Sequence, residues 1–135
     1  MTGTIWLVCG SRTFTDYDLM RRALDGLAER YGAPATIVNG AMMGADAMSS
    51  FWAYERKIDT DPFGAKWGQF GGAAGPIRNT AMADRLARLG VDRCMAFTDK
   101  PLLQSRGTRD MHGKAVKIIG ASRVHHFQQV AEVTP

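Results

Sequence analysis

Cysteine is scarce in this chain, and no metal-binding spacing occurs. Only Cys9 and Cys94 are found among 135 residues, with no CxxC pair and no Cys/His cluster to suggest a metal site. Both lie in apolar runs that read as strands, so free buried thiols in a reducing compartment are expected rather than a disulfide. Nowhere does an apolar run approach the ~20 residues of a membrane-spanning helix. The amino terminus enters a strand directly, without the charged and apolar regions of a secretory leader. These absences lead us to expect a soluble, cytoplasmic protein. Dense basic runs are also missing. The 17 Lys and Arg against 13 Asp and Glu give a net charge of +4, which favours anionic partners without the signature of a dedicated nucleic-acid binder. There is no internal repeat and no low-complexity tract, and 45% hydrophobic residues suit one globular domain over residues 1–135.

What is present is an alternation of buried-strand and helix patterns. "TIWLVCGSR" is a continuous apolar run ending in glycine, as expected of a strand covered on both faces. A helix follows, capped by Asp16, with Leu19, Ala23, Leu24 and Leu27 on one face, and it is broken by Gly32 and Pro34. "ATIVNG" is a second strand. Gly44 to Lys57 reads as a helix whose stripe is Ala47, Met48, Phe51 and Trp52. "KIDTDPF" is a weaker strand, and residues 64–75 predict a mobile glycine-rich loop. That loop leads into a helix opened by "GPIRN", with Met82, Leu86 and Leu89 inward and Gly90 as its stop. "RCMAFT" is a fourth strand. Met111, Ala115, Ile118 and Ile119 place a helix over Thr108–Ile119, weakened by Gly113 by roughly 1 kcal/mol and ended by Gly120. "SRVHHF" is the last strand. The pattern predicts an α/β Rossmann-like domain, a parallel sheet of about five strands with helices on both faces.

Ligands of such sheets bind beyond the carboxyl ends of the strands. Four groups fall at that edge: Gly10, Ser11 and Arg12; Asn39 and Gly40 through Gly44 and Asp46; Arg78 and Asn79 in "GPIRN"; and Arg106, Gly107 and Thr108. Each joins glycines, which permit close backbone approach, to donors suited to phosphate or sugar oxygens. An arginine where a helix begins opposes the helix dipole unless an anion completes that end, so Arg78 and Thr108 are expected to fix a phosphate. For Asp46 two readings stand: an acceptor for ribose hydroxyls, or a helix cap after Gly44. Asn79 reads as a base or sugar partner or as a loop brace. Trp67 and Phe70 read as base-stacking rings or, in preference, as plugs at the edge of the core. His125 and His126 point to opposite faces of a strand and cannot share a metal from one side. "GAMMGAD" lacks the lysine of a standard phosphate-binding loop.

"GSR", "NGAMMGAD", "AKWGQFGGAAGPIRN" and "GTRDM", in this order and spacing, resemble the YspA-like (YpsA-related) branch of the SLOG superfamily. That superfamily also holds the LOG-type phosphoribohydrolases, formerly called lysine decarboxylase-like, and the DNA-processing protein DprA. The resemblance implies a Rossmann-like site for a nucleotide or nucleotide-derived ligand. Its lining would be Gly10, Ser11, Arg12, Gly40, Gly44, Asp46, Arg78, Asn79, Gly107 and Thr108. It also implies a bacterial or phage setting, a role as nucleotide sensor or processor, and a homodimer. LOG-type enzymes carry PGGxGTxxE, and on Gly107-Thr108 the glutamate position falls on Met111, with Asp110 one residue early and about 100° round the helix. Any hydrolysis is therefore assigned to Asp46 with Arg78.

The expected function ranks in three steps. First stands binding of a nucleoside phosphate or ADP-ribose-like ligand, with Mg2+ entering only through ligand phosphates. A nucleotide N-glycoside hydrolase stands second. Binding of single-stranded DNA stands last, because the cations scatter around loops instead of forming a groove interleaved with aromatics.

Overall fold

The computed structural model describes residues 3–130. Five strands, β1 (Ile5–Gly10), β2 (Thr36–Asn39), β3 (Asp59–Pro62), β4 (Arg93–Thr98) and β5 (Val124–Gln128), form one sheet in the order β3-β2-β1-β4-β5, every pairing parallel. Between them run α1 (Tyr17–Tyr31), α2 (Ala45–Glu55), α3 (Trp67–Phe70), α4 (Ala74–Leu89) and α5 (Arg106–Ile119). The sheet grows outward from β1 through β2 to β3, then returns past β1 to β4. The reversal lies between the neighbours β1 and β4, and a crevice opens at such a point.

Strand alternation divides the core between two faces. Leu7, Cys9, Val38, Cys94 and Ala96 meet Met82, Leu86, Met111, Ala115 and Ile119 of α4 and α5. Trp6, Val8, Ile37, Met95 and Phe97 meet Met20 and Leu24 of α1 and Ala45, Trp52 and Ala53 of α2. Trp6 stacks on Trp52 with centroids 6.3 Å apart and an interplanar angle of 15°. Each such fully buried side chain contributes about 1.5–3 kcal/mol of transfer free energy. Both cysteines are free and buried.

Three inward stripes differ from those the spacing predicts. On α2, Ala47 and Phe51 face solvent, Phe51 being 51% exposed, while Ala45, Ser49, Trp52 and Ala53 turn inward. The whole helix is apolar enough to read with either face inward, and contact with β1 and β2 chose. On α4, Leu89 is 46% exposed because the inward row is Met82, Ala83 and Leu86. On α5, Ile118 is exposed and Thr108 belongs to the buried row. The segment read as a loop over 64–75 holds α3 and a single 3-10 turn, Gly71–Ala73, which runs straight into α4. In consequence α4 starts at Ala74, so Pro76 lies within its first turn and Arg78 in its second. Similarly α5 starts at Arg106, two residues before the expected Thr108. Among the described residues no helix is long and apolar enough to cross a membrane.

Candidate functional site

Beyond the carboxyl ends of β1 and β4 lies a cavity of about 850 Å³. Its wall includes every expected site residue except Gly44: Gly10, Ser11, Arg12, Gly40, Asp46, Arg78, Asn79, Gly107 and Thr108. The glycines serve close packing between protein segments more than approach to a ligand. A Cβ on Gly10 would overlap the Phe97 carbonyl oxygen and Ala45 Cβ, so its absence lets β1 end against β4 and α2. On Gly40 it would overlap Arg78 Nη1 and Asp46 Oδ2. Gly44, at φ 72°, sits against the Ser11 and Arg12 carbonyls and shapes the wall from behind. Gly107 alone faces open space.

The loop after β1 is stitched down by its backbone. Ser11 N–H donates to Phe97 O at 2.9 Å, and Ser11 O accepts from Ala45 N at 3.2 Å. Ser11 Oγ, by contrast, is buried without a partner. After β2, buried Asn39 shapes the next loop. Its Oδ1 accepts from Ala41 N at 2.9 Å, and its Nδ2 donates to Ser50 Oγ at 2.8 Å and Ser49 Oγ at 3.0 Å. Ala41 is held at φ 56°, a left-handed conformation that a non-glycine residue adopts at a cost.

This loop presents Asp46. The residue is 5% exposed; Oδ2 accepts from Met42 N at 3.2 Å and Oδ1 has no partner. It does not cap α2, whose N-cap Gly44 makes no side-chain bond. Burial pushes the carboxyl up to about 6, opposed by the Met42 N–H and the Arg78 guanidinium.

Arg78 is turned inward. Nη1 donates to Gly40 O at 2.6 Å and Nε to Asn79 Oδ1 at 2.9 Å, and burial holds the guanidinium below its ordinary pKa. Lying in the second turn of α4, it does not occupy the helix end assigned to it from the sequence. Asn79 is 4% exposed and braces α4 to α5, donating to Gly107 O at 3.2 Å and Asp110 Oδ2 at 3.0 Å. Asp110 also lines the cavity. Burial pushes its carboxyl up, but the Lys114 ammonium and the Asn79 amide outweigh that and hold it below the usual value. Met111, on the inward row of α5, packs in the core and reaches the floor of the cavity.

The outer wall is cationic. Arg12, Lys100, Arg106 and Arg109 all border the cavity. Thr108 lies in the first turn of α5, where three backbone N–H groups have no helical acceptor, no acidic residue intervenes and the N-cap Ser105 makes no capping bond. Trp67 and Phe70 are 39% and 40% exposed, so neither plugs the core; Trp67 lines the cavity with the Arg12 guanidinium 5.2 Å from its ring centroid. Asp99, Lys100 and Arg109 were absent from the sequence-derived site. The first two follow β4 directly, so the rule that points to strand ends was already sufficient to find them. His125 lies by Arg93 at 3.1 Å and His126 by Thr98 at 2.7 Å, and among the described residues no group of three metal-ligating side chains occurs.

Residues 4–70 match the model of the YspA, cpYpsA-related SLOG family. Through this segment the chain belongs to the YspA-like SLOG branch. SLOG membership suggests a function related to nucleotides. The matched segment holds β1 to β3 and α1 to α3, hence Gly10, Ser11, Arg12, Gly40, Gly44 and Asp46; Arg78, Asn79, Gly107 and Thr108 lie beyond it. No curated protein and no solved structure gives a significant match to the chain.

Proposed function

We propose that the chain binds a nucleotide or nucleotide-derived ligand, a nucleoside phosphate or an ADP-ribose-like molecule, as a sensor or processing module. The observation that carries this reading is the cavity at the sheet reversal, where the uncapped first turn of α5 and a buried, half-satisfied Asp46 border one space. Free helix amides with no competing acid suit a phosphate. A carboxylate with one idle oxygen suits sugar hydroxyls, whose protons it accepts. Mg2+ enters with the ligand phosphates and needs no protein ligand set. A small molecule is the partner this arrangement fits; nucleic acid ranks below it.

The test is a thermal-shift panel of nucleoside mono- and diphosphates, ADP-ribose, NAD and cyclic nucleotides. A binder present at a hundred times its Kd adds about 2.7 kcal/mol to stability, a rise of several degrees. A flat panel overturns the proposal.

A second reading, hydrolysis of a nucleotide N-glycosidic bond, is favoured by Asp46 itself. A carboxyl raised to about 6 keeps roughly a tenth of its molecules protonated at pH 7 and more below it, and that proton can go to the departing base as water adds to the sugar carbon, with Arg78 bracing the loop beside it. Chromatography of the same incubations decides the point: free base, formed faster below pH 6 and lost in Asp46→Asn, establishes the enzyme, while intact ligand leaves a binding module.

A further inference from the structure

We infer that the ligand of this cavity carries two linked phosphoryl groups, seated on the first turn of α5 and the cations around it, with a hydroxyl-bearing group directed at Asp46. The inference rests on the nucleotide reading above and narrows it.

The argument is one of unsatisfied donors. A single phosphoryl group presents three terminal oxygens. The free amides of Arg106, Gly107 and Thr108 already match that number. Four cationic side chains remain: Arg12, Lys100, Arg106 and Arg109, drawn from the loop after β1, the loop after β4 and α5. None of the four forms an ion pair among the described residues, so each is available to an anion. The Arg12 guanidinium is held over Trp67 and Arg109 Nη1 touches only the Leu103 carbonyl at 3.2 Å. With Arg78 and Asp46 side by side, these four cations face two further carboxylates, Asp99 and Asp110, so the wall keeps a positive surplus.

The inner end has the opposite character. Here Asp46 Oδ1 and Ser11 Oγ are buried without partners, and the Arg78 guanidinium beside Asp46 is already engaged by Gly40 O and Asn79 Oδ1, so this end offers acceptors to hydroxyls. A cavity of about 850 Å³ also lies in the upper part of the ~300–1,000 Å³ range of ligand sites, which leaves room for both halves of such a molecule. The diphosphate could be terminal, as in a nucleoside diphosphate, or bridging, as in a dinucleotide. The phosphate-site chemistry is the same.

The test uses the full chain and calorimetric titration with inorganic phosphate, inorganic pyrophosphate, AMP, ADP and ADP-ribose. We expect pyrophosphate to bind at least tenfold more tightly than phosphate, and ADP or ADP-ribose at least tenfold more tightly than AMP. The order of ADP and ADP-ribose separates a terminal from a bridging diphosphate. In Arg106→Gln/Arg109→Gln, whose substitutions are exposed and whose melting temperature without ligand should not move, the preference falls to less than threefold. Equal affinity for AMP and ADP overturns the inference and leaves the nucleotide reading standing. A preference that survives the double substitution also overturns it. Pyrophosphate binding with no nucleotide binding would keep the diphosphate site and overturn the nucleoside part; no binding at all would overturn both.

Discussion

Two helices of this domain carry an aspartate in the first turn, and the two residues do opposite things. In α1, Asp16 caps the helix by accepting from Leu19 N at 3.0 Å, and Asp18 follows it on the surface. Asp18 pairs with Arg21 and with Arg22 at 2.9 Å, and those hydrogen bonds hold its carboxyl below the ordinary value. In α2, Asp46 also stands in the first turn, yet it is buried, keeps one oxygen idle and is pushed up to about 6. The helix dipole favours both charges equally. Burial separates them. The start of α1 is satisfied by its own side chains and serves stability, whereas at the start of α2 Asp46 keeps one oxygen unpaired beside the cavity.

Substitutions can break or sharpen that contrast. The largest effect is expected at Asp46, through pH. Its folded-state pKa lies above the unfolded value of 3.8, so the protonated form is the one the fold favours. That contribution is full below about 3.8 and is lost as pH rises through about 6, a change on the order of 3 kcal/mol. Asp46→Asn removes it. Urea unfolding of both proteins from pH 4 to 7 should therefore show the variant gaining on the wild type across that window, while Asp18→Asn shows no such gain.

Next comes Gly44→Ala. At φ 72° with Ser11 and Arg12 carbonyls against the missing Cβ, alanine strains the backbone and displaces the loop after β1. A loss of roughly 2–3 kcal/mol is expected by denaturant titration, together with weakened ligand binding. A loss in stability alone would mean that this loop does not shape the cavity.

Asp16→Ala should cost about 1 kcal/mol by removing the α1 cap. Ligand affinity should stay constant, since the cap lies outside the cavity wall. A cap transplanted to the other side gives the reciprocal result. Ser105→Asp supplies α5 with the side chain it lacks, raising stability without ligand by roughly 0.5 kcal/mol. It also places a negative charge where a phosphate is proposed, so nucleotide titration should show affinity reduced at least tenfold. The smallest effect belongs to Asp18→Ala, whose exposed pairs are screened by solvent; its unfolding midpoint should not move measurably.

The central strands β1, β2 and β4 were legible because parallel strands buried on both faces read as unbroken apolar runs. "RCMAFT" is β4 residue for residue, and Asp16 caps α1 as its position before the periodic stretch predicts. The faces of the helices were less legible. Phe51, Leu89 and Ile118 sit at helical spacing from core residues, but spacing defines a stripe without saying which edge of it meets the sheet. Residues 64–75 read as loop because glycine suppresses any local helix signal, and α3 there buries none of its own residues. For the site, nearly all the expected residues reach one cavity: Asn79 takes the bracing one of its two readings, Arg78 supports Gly40 O in place of a helix end, and Lys100 and Arg109 join the wall unexpected.

The sequence by itself determined the parallel sheet, its two covered faces and the gathering of polar loops at one edge. Those properties follow from apolar runs, helical periods and glycine positions, all read within a few residues. Only the tertiary structure decided what the charged groups do there. Arg78 donates to a carbonyl 38 positions away, through space left open by a glycine, and Asp46 owes its raised carboxyl to burial beneath that same loop. Desolvation and hydrogen-bond partners are set by whatever the fold brings alongside, and a residue's own neighbours in the chain do not carry that information.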